Sequence, residues 1–158
     1  MGDPTGGAAV LTDRAGYDPG ADLALRYPDW VLADADLGGL VTEVLCPSRR
    51  IILLDRAQPY AVRRSSLAHA VAHLDLDHTH PVRGHFENRE EAAANDLAAR
   101  RLIPLAVYAA TLSWTRAPEE VAAELGVDRA TLRVREARLT KTERVVLRRL
   151  ARGFAESA

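Results

Sequence analysis

The chain of 158 residues is long enough for one compact domain, or for one domain with a small appendage. Its composition, 47% hydrophobic and 27% charged, is ordinary for a folded globular protein, and its net charge of -1 gives no global case for binding nucleic acid. The single cysteine, Cys46, excludes an internal disulfide and a cysteine-based metal site. No apolar run could span a bilayer and no signal-like segment opens the chain, so we expect a cytoplasmic protein without a membrane partner.

The first part of the chain predicts a lead segment followed by a small sheet. Residues 1–22 are rich in Gly, Asp and Pro, and we expect them to be flexible, with at most a short ordered piece at their end. Residues 30–33 and 40–45 predict two strands joined by a turn at Gly38-Gly39. Residues 51–54 predict a third, well-buried strand. Such short connections predict an antiparallel sheet.

Helical patterns follow the strands. Leu67 and Val71 lie at helical spacing in a helix that we expect to end near Asp77, with Ser65 or Ser66 near its N-cap. Further helices are predicted at 88–102, 107–112, 118–125 and 128–139, with a basic helical tail beyond Thr142. The sequence therefore predicts an α+β protein with a flexible segment at 1–22, a core at 23–105 and a helical region at 106–158.

The histidines are concentrated in one short part of the chain. All five lie within seventeen consecutive positions: His69, His73, His78, His80 and His85. His69 and His73 are four residues apart, so a helix places both imidazoles on one face, where they can share one ion. Zinc is the metal best served by neutral histidine nitrogens and a carboxylate. The alternative is a pair of half-buried histidines that donate to backbone carbonyls.

Two separated segments carry family-specific motifs. Residues 63–69, Arg-Arg-Ser-Ser-Leu-Ala-His, lead into His-Ala-Val-Ala-His at 69–73, where an HExxH motif would have Glu as its second residue. Residues 88–104 contain a Glu, then Ala-Asn, then an apolar–Ala–Ala run ending in Leu-x-Pro. Together they resemble the ImmA/IrrE zinc metallopeptidases, from about residue 30 to residue 139. The resemblance implies a zincin-like fold, in which a small antiparallel sheet packs on the metal-binding helix and a helix–turn–helix-like segment follows.

The resemblance also implies a third metal ligand from the second signature. Glu91, four residues before Asn95, takes that position, and Glu90 is the alternative because the phase of the helix is not fixed to one residue. Asn95 would then orient a ligand. Asp77 is a further alternative because it continues the spacing of the two histidines, but two helical turns separate it from His69 by roughly 12 Å along the axis, too far to share an ion unless the helix ends first. The remaining three histidines are interpreted as a polar loop or lid.

Position 70 departs from the family pattern. Ala70 stands where the family has the glutamate that takes the proton from the attacking water. Zinc binding should survive, because that glutamate is not a ligand, whereas hydrolysis should be absent or severely impaired. Either the chain is a natural pseudo-enzyme or a Glu→Ala change was made deliberately, and the otherwise intact site favours a recent or deliberate change. Neither Asp75 nor Asp77 lies in the turn of Ala70, so neither is a favoured substitute base.

The C-terminal region has a helix–turn–helix pattern with a basic excess. From residue 127 to residue 152 there are nine Lys or Arg against three acids. Candidate partner or nucleic-acid contacts are Arg129, Arg133 and Arg138. Arg135 and Glu136 stand where a buried apolar residue is expected, which favours a structural or partner-binding role over reading of DNA sequence. By resemblance, the partner or substrate is a helix–turn–helix repressor of a phage, another mobile element or a stress response. A non-catalytic regulator that binds its partner or DNA through this region is the alternative.

Overall fold

The computed structural model describes residues 16–78 and 85–156. Within these ranges the chain forms seven α-helices and three strands, which confirms the α+β prediction. Residues 1–15, most of the segment predicted to be flexible, lie outside the described residues, whereas helix α1 already begins at Pro19. In chain order the elements are α1 (Pro19–Arg26), β1 (Val31–Ala35), β2 (Glu43–Cys46), a 3-10 turn (Pro47–Arg49), β3 (Ile51–Asp55), α2 (Tyr60–Asp75), α3 (His85–Leu102), α4 (Leu105–Leu112), α5 (Pro118–Leu125), α6 (Arg129–Ala137) and α7 (Lys141–Glu156).

The sheet is mixed, not antiparallel as the short connections predicted. Its strand order is β1-β3-β2, so β3 is central and β2 is an edge strand. β1 runs parallel to β3, with Val31 opposite Ile51. β2 runs antiparallel to β3, with Glu43 opposite Leu54. One of the two pairings therefore differs from the prediction.

The position of β3 explains the difference. Gly38 and Gly39 have the positive φ angles of turn residues, 67° and 70°, but β2 begins only at Glu43 and does not pair with β1. β3 carries the buried apolar residues Ile52 and Leu54, and the centre of the sheet is where its side chains are removed most fully from water. Apolar burial, and not chain order, decides which strands are neighbours.

The metal-motif helix α2 begins earlier than its N-cap signals predict. It starts at Tyr60, directly after Pro59, whose φ of -58° is already that of a helix. Ser65 and Ser66 are buried inside the helix. The hydroxyl of Ser65 accepts a hydrogen bond from the backbone N–H of Asp128 at 3.2 Å. Ser65 therefore makes an interior contact, and neither serine caps the helix.

Helix α2 lies between two apolar clusters. One side faces the sheet, and the residues of that cluster are Leu23, Ile52, Leu54, Leu67, Ala70, Val71 and Leu74. On the other side Ala68 and Ala72 belong to a larger cluster that includes Ala94, Ala98 and Leu102 of α3 and extends to Leu147 of α7. The predicted regions 23–105 and 106–158 thus contribute to one cluster, and their division stays a prediction. With both sides covered, α2 holds its side chains in fixed positions.

The helix–turn–helix pattern is present as α5 and α6. Gly126 between them has a φ of 62°, the left-handed conformation that ends many helices. Asp128 caps α6 by accepting a hydrogen bond from the N–H of Thr131 at 2.7 Å. Arg64 of α2 donates to the carbonyls of Leu125 and Gly126 at 3.1 and 3.0 Å, so the turn is attached to the metal-motif helix.

Arg135 and Glu136, which stand where the helix–turn–helix pattern has a buried apolar residue, both bind residues of neighbouring segments. Arg135 is only 3% exposed and donates to the carbonyl of Ile103 at 3.1 Å and to Glu143 at 3.0 Å. Glu136 accepts from the hydroxyl of Tyr108 at 3.0 Å. Both residues connect α6 to neighbouring helices. Across the described ranges, no helix combines the length and apolar character needed to cross a bilayer.

Candidate metal centre

His69 and His73 face each other from successive turns of α2. Their Nε2 atoms are 3.0 Å apart, and the rings lie edge to face with centroids 4.5 Å apart. The four-residue spacing produces this arrangement because it superimposes side chains on one helical face. Both side chains are mostly buried, so the helix presents two imidazole nitrogens at one point.

Glu91 of α3 completes the group. Its Oε2 lies 3.3 Å from Nε2 of His69, and its Oε1 lies 3.2 Å from Nε2 of His73. Within the described residues, His69, His73 and Glu91 form a group whose possible ligand atoms all lie within 4.8 Å of one another. The packing of α3 against α2 through small residues such as Ala94 brings the carboxylate this close.

The three donors fit a zinc ion. Zinc binds histidine nitrogen and carboxylate oxygen at about 2.0–2.2 Å in a tetrahedron, whose edges are then about 3.3–3.6 Å. The observed separations, 3.0 Å between the two nitrogens and 3.2 and 3.3 Å to the carboxylate, lie close to those edges. The donor set, two imidazoles and one carboxylate, is also the set of catalytic zinc sites that keep a fourth position open.

The electrostatics keep His73 neutral. Burial lowers the pKa of His73, and the neighbouring His69 lowers it further, while the Glu91 carboxylate acts in the opposite direction. His73 itself is 8% exposed. A neutral imidazole is the form that binds a metal.

The donors line a cavity of about 290 Å³ whose wall includes four glutamates. The cavity is lined by Glu43, Leu45, His69, Ala70, His73, His78, Glu87, Glu90 and Glu91. Ala70 is part of this lining. It is only 1% exposed, because its side chain also packs in the apolar cluster that faces the sheet. The position of the missing glutamate is therefore at the wall of the cavity.

Glu43 is a functional candidate that the sequence did not suggest. It lies on the edge strand β2, and its Oε1 is 3.9 Å from Nε2 of His69. The hydroxyl of Thr42 donates to its other oxygen, Oε2. Because residues i and i+2 of a strand share a face, Glu43 and Leu45 both point to the cavity. From sequence alone, a glutamate in a short strand indicates only a solvent-exposed face, so Glu43 did not stand out.

The other predicted site residues have different positions. Glu90 lines the cavity but does not belong to the group of converging donors. Asn95 is exposed and makes no hydrogen bond to either histidine within the described ranges, so the structure gives no support for its orienting role. Asp77 lies beyond the end of α2 with a φ of 56° and is not among the cavity-lining residues.

Asp75 is not available as a substitute base. Arg26 and Arg101 form ion pairs with its carboxylate, and the hydroxyl of Tyr27 donates to it. Although burial acts to raise the pKa of Asp75, these donors together lower it to about 2. The side chain is a cross-link between α1, α2 and α3, and it is not part of the cavity lining.

The three loop histidines also differ from one another. His78 contacts His73, with 3.2 Å between their Nδ1 atoms. The chain after α2 thus brings His78 to the site, and its interpretation as a loop or lid residue stays a prediction. His80 lies outside the described residues, and so does the side chain of His85, so the prediction for these two stands as it was.

The three arginines predicted as partner or nucleic-acid contacts differ in their exposure to solvent. Arg129 lies 3.7 Å from Glu119 of α5 in an ion pair. Arg133 and Arg138 are exposed, and the backbone carbonyl of Arg138 accepts a hydrogen bond from Arg100. Two of the three predicted contacts are thus open to solvent.

Two imidazoles one turn apart, a carboxylate from the next helix and a small sheet beside them define a zincin-like metallopeptidase scaffold. The family follows from the sequence. The chain belongs to the IrrE N-terminal-like domain family, peptidase family M78, whose family model matches residues 29–136. This match confirms the resemblance to the ImmA/IrrE proteins. Comparison with curated proteins and with solved structures gave no match.

Proposed function

We propose that this protein binds one zinc ion through His69, His73 and Glu91, and that it engages a helix–turn–helix repressor without cutting it efficiently. The convergence of those three donors in a cavity whose wall includes Ala70 is the observation that carries the proposal. Membership of a metallopeptidase family supports the same chemistry.

The loss at position 70 affects proton transfer and not metal binding. When bound in such a site, zinc polarises a carbonyl and lowers the pKa of a water. His69, His73 and Glu91 would hold it, and none of the three is then free to accept a proton. Alanine has no group that takes a proton, and losing a positioned general base costs on the order of 100- to 10,000-fold in rate.

The partner follows from the family and not from the site. Proteins of this type act on helix–turn–helix repressors of mobile elements or stress responses, so a repressor encoded beside this protein is the first partner to test. A natural pseudo-enzyme and a deliberately changed enzyme both remain consistent with Ala70. They differ in what a restored glutamate should do.

The test compares Ala70→Glu with Ala70→Gln and with the parent chain. Ala70 is buried at the cavity wall, so both substitutions meet the same packing, but only glutamate can accept a proton. With zinc bound, the Glu form should cut the repressor at one bond, while the Gln form and the parent should only bind it. Fragments are identified by mass spectrometry, and circular dichroism verifies that all three forms fold.

Each outcome has a clear meaning. Cleavage by the glutamate form alone supports a disabled protease. No cleavage by any form, despite bound zinc and a measured complex, favours the natural pseudo-enzyme. Cleavage by the parent chain would show that another group serves as base and would contradict the proposed mechanism.

A regulator that binds through the C-terminal helices is the second candidate. The exposure of Arg133 and Arg138 favours it. The interior contacts of Arg135 and the ion pair of Arg129 weigh against a DNA-reading helix. An Arg133→Glu/Arg138→Glu variant that loses duplex DNA binding while keeping repressor binding would favour a DNA-binding role. Loss of repressor binding alone would favour a protein-binding surface.

A further inference from the structure

The end of helix α2 returns the chain toward the metal centre. The N–H of His78 donates to the carbonyl of His73 at 2.9 Å, and the N–H of Asp77 donates to that of Leu74 at 3.2 Å. Asp77 between them has a left-handed φ of 56°. This pair of bonds around a left-handed residue is the Schellman arrangement that ends many helices. It places His78 beside the second histidine of the metal motif.

The two side chains are in contact as well. Nδ1 of His78 lies 3.2 Å from Nδ1 of His73, and the ring centroids are 5.2 Å apart. Nε2 of His73 points the other way, toward Glu91 at 3.2 Å and His69 at 3.0 Å. The two nitrogens of the His73 ring thus have separate partners.

Metal binding through Nε2 requires one tautomer of His73. Its Nε2 needs a free lone pair to bind a metal, so Nδ1 must carry the hydrogen. A hydrogen on Nδ1 needs an acceptor, and Nδ1 of His78, 3.2 Å away, is one when the hydrogen of that ring is on its Nε2. By contrast, Nδ1 of His69 is buried and has no hydrogen-bond partner within the described residues. Within the part of the chain that the structure describes, His73 is thus the one histidine of the motif with a partner behind its ring.

We propose that His78 is a positioning residue of the metal centre, which accepts a hydrogen bond from Nδ1 of His73 and so directs Nε2 of that ring toward His69 and Glu91. The inference rests on the proposed zinc site. His78 does not itself touch the ion; it acts through His73. Removing a group that holds a ligating histidine in this way typically lowers metal affinity 10- to 100-fold.

The experiment measures zinc affinity of the full chain by competition with a chromophoric chelator. His78→Ala removes the acceptor, and zinc affinity should fall 10- to 100-fold. His78→Asn is the matched variant, because its Oδ1 occupies the place of Nδ1 and accepts the same hydrogen bond. The zinc affinity of His78→Asn should stay within about threefold of the parent value, a smaller loss than the one expected for His78→Ala.

Two further measurements separate positioning from simple structural damage. The backbone bonds of the turn do not involve the His78 side chain, so the metal-free alanine variant should unfold at nearly the same urea concentration as the metal-free parent. Proton–nitrogen NMR of the zinc-bound parent should show a slowly exchanging hydrogen on Nδ1 of His73, and the same hydrogen should exchange faster with water in zinc-bound His78→Ala, which lacks the acceptor.

Equal zinc affinity of the parent and His78→Ala would overturn the inference and leave the zinc site intact. An asparagine variant as weak as the alanine variant would show that hydrogen-bond acceptance is not the cause. A parent chain that binds no zinc would overturn the proposed site, and the inference with it.

Discussion

At the scale of single residues, the cavity contains more carboxylates than a zinc ion requires. Glu91 approaches both histidines, at 3.3 and 3.2 Å, whereas Glu43 lies 3.9 Å from His69 alone. Glu90 lines the cavity without joining the converging group. Geometry therefore distinguishes one ligand from two neighbours of the same chemical type.

Neutralising each carboxylate in turn tests this distinction. Glu91→Gln should weaken zinc binding by more than 100-fold, because a direct ligand matters more than the outer partners, which contribute about 10- to 100-fold. Glu90→Gln and Glu43→Gln are matched controls of equal size and should stay close to the parent. Chelator competition measures all three. A larger loss for Glu90→Gln than for Glu91→Gln would mean that the ligand is the preceding residue.

The sequence predicted the converging donors but not their surroundings. The spacing of His69 and His73 is fixed by helical periodicity, and the family signature singled out Glu91. Glu43 was not predicted to approach the site, and His78 was predicted only as a loop or lid residue, without its contact to His73. Their positions depend on which strand lies at the sheet edge and on a backbone turn after the helix, and neither is a property of local sequence.

At the scale of elements, the turn between α5 and α6 requires a left-handed residue. Gly126 has a φ of 62°, and a Cβ there would meet its nearest atom, Nη1 of Arg64, at an ordinary 3.6 Å. Backbone conformation, and not lack of space, is thus the constraint. Gly126→Ala should lower the free energy of unfolding by about 1–2 kcal/mol.

Urea denaturation measures that change, with Gly153→Ala as control. Gly153 lies within α7, and a Cβ there would meet no atom within 4 Å, so alanine should stabilise by up to about 1 kcal/mol through its helix propensity. Equal effects of the two substitutions would contradict the assignment of strain to the turn.

Helix α7 begins with a reciprocal capping box that the sequence analysis did not identify. The N–H of Thr140 donates to Glu143 at 2.8 Å, and the N–H of Glu143 donates to the hydroxyl of Thr140 at 3.1 Å. Glu143 also accepts from Arg100 and Arg135 at 2.9 and 3.0 Å. The hydrogen bond from the Thr140 N–H is the largest influence on the pKa of Glu143; burial acts to raise this pKa, but together with Arg135 the Thr140 bond lowers it to about 2.

The pH dependence of this contact follows from the direction of the shift. A carboxyl group with a lower pKa in the folded state stabilises the fold above its unfolded pKa of about 4.3, and that stability is lost as pH falls toward the folded value. Glu143→Gln should therefore cost about 1 kcal/mol at pH 7, the typical worth of a cap. The difference from the parent should shrink between pH 4.5 and pH 2. Urea titrations across that window measure it, and a constant difference would show that the Glu143 charge is not the cause.

Helix ends were easier to predict than strand neighbours. Pro104 and Gly126 correctly marked where α3 and α5 end, because proline and glycine limit the backbone locally. The start of α2 was misplaced, since Ser65 and Ser66 carry a cap signal but are used in the interior. The parallel pairing of β1 with β3 depends on a contact across the fold, which local patterns do not contain.

At the scale of the whole molecule, the candidate metal site joins the two elements on which the core is built. His69 and His73 come from α2, which packs against the sheet on one side and the helical cluster on the other. Glu91 comes from α3, which belongs to the helical cluster. Unfolding either helix would separate the three donors, so an ion held by all of them binds the folded chain in preference to the unfolded one.

Zinc should consequently stabilise the entire fold. At a free zinc concentration one hundred times the dissociation constant, the stabilisation is about 2.7 kcal/mol. Thermal denaturation should show a higher Tm with zinc, reversed by a chelator, for the parent chain. A His69→Ala/His73→Ala variant should show no such rise, while Glu90→Gln should behave as the parent because it keeps all three donors. An equal rise in the double variant would place the zinc elsewhere, because an ion stabilises the native state only through groups that the folded chain brings together.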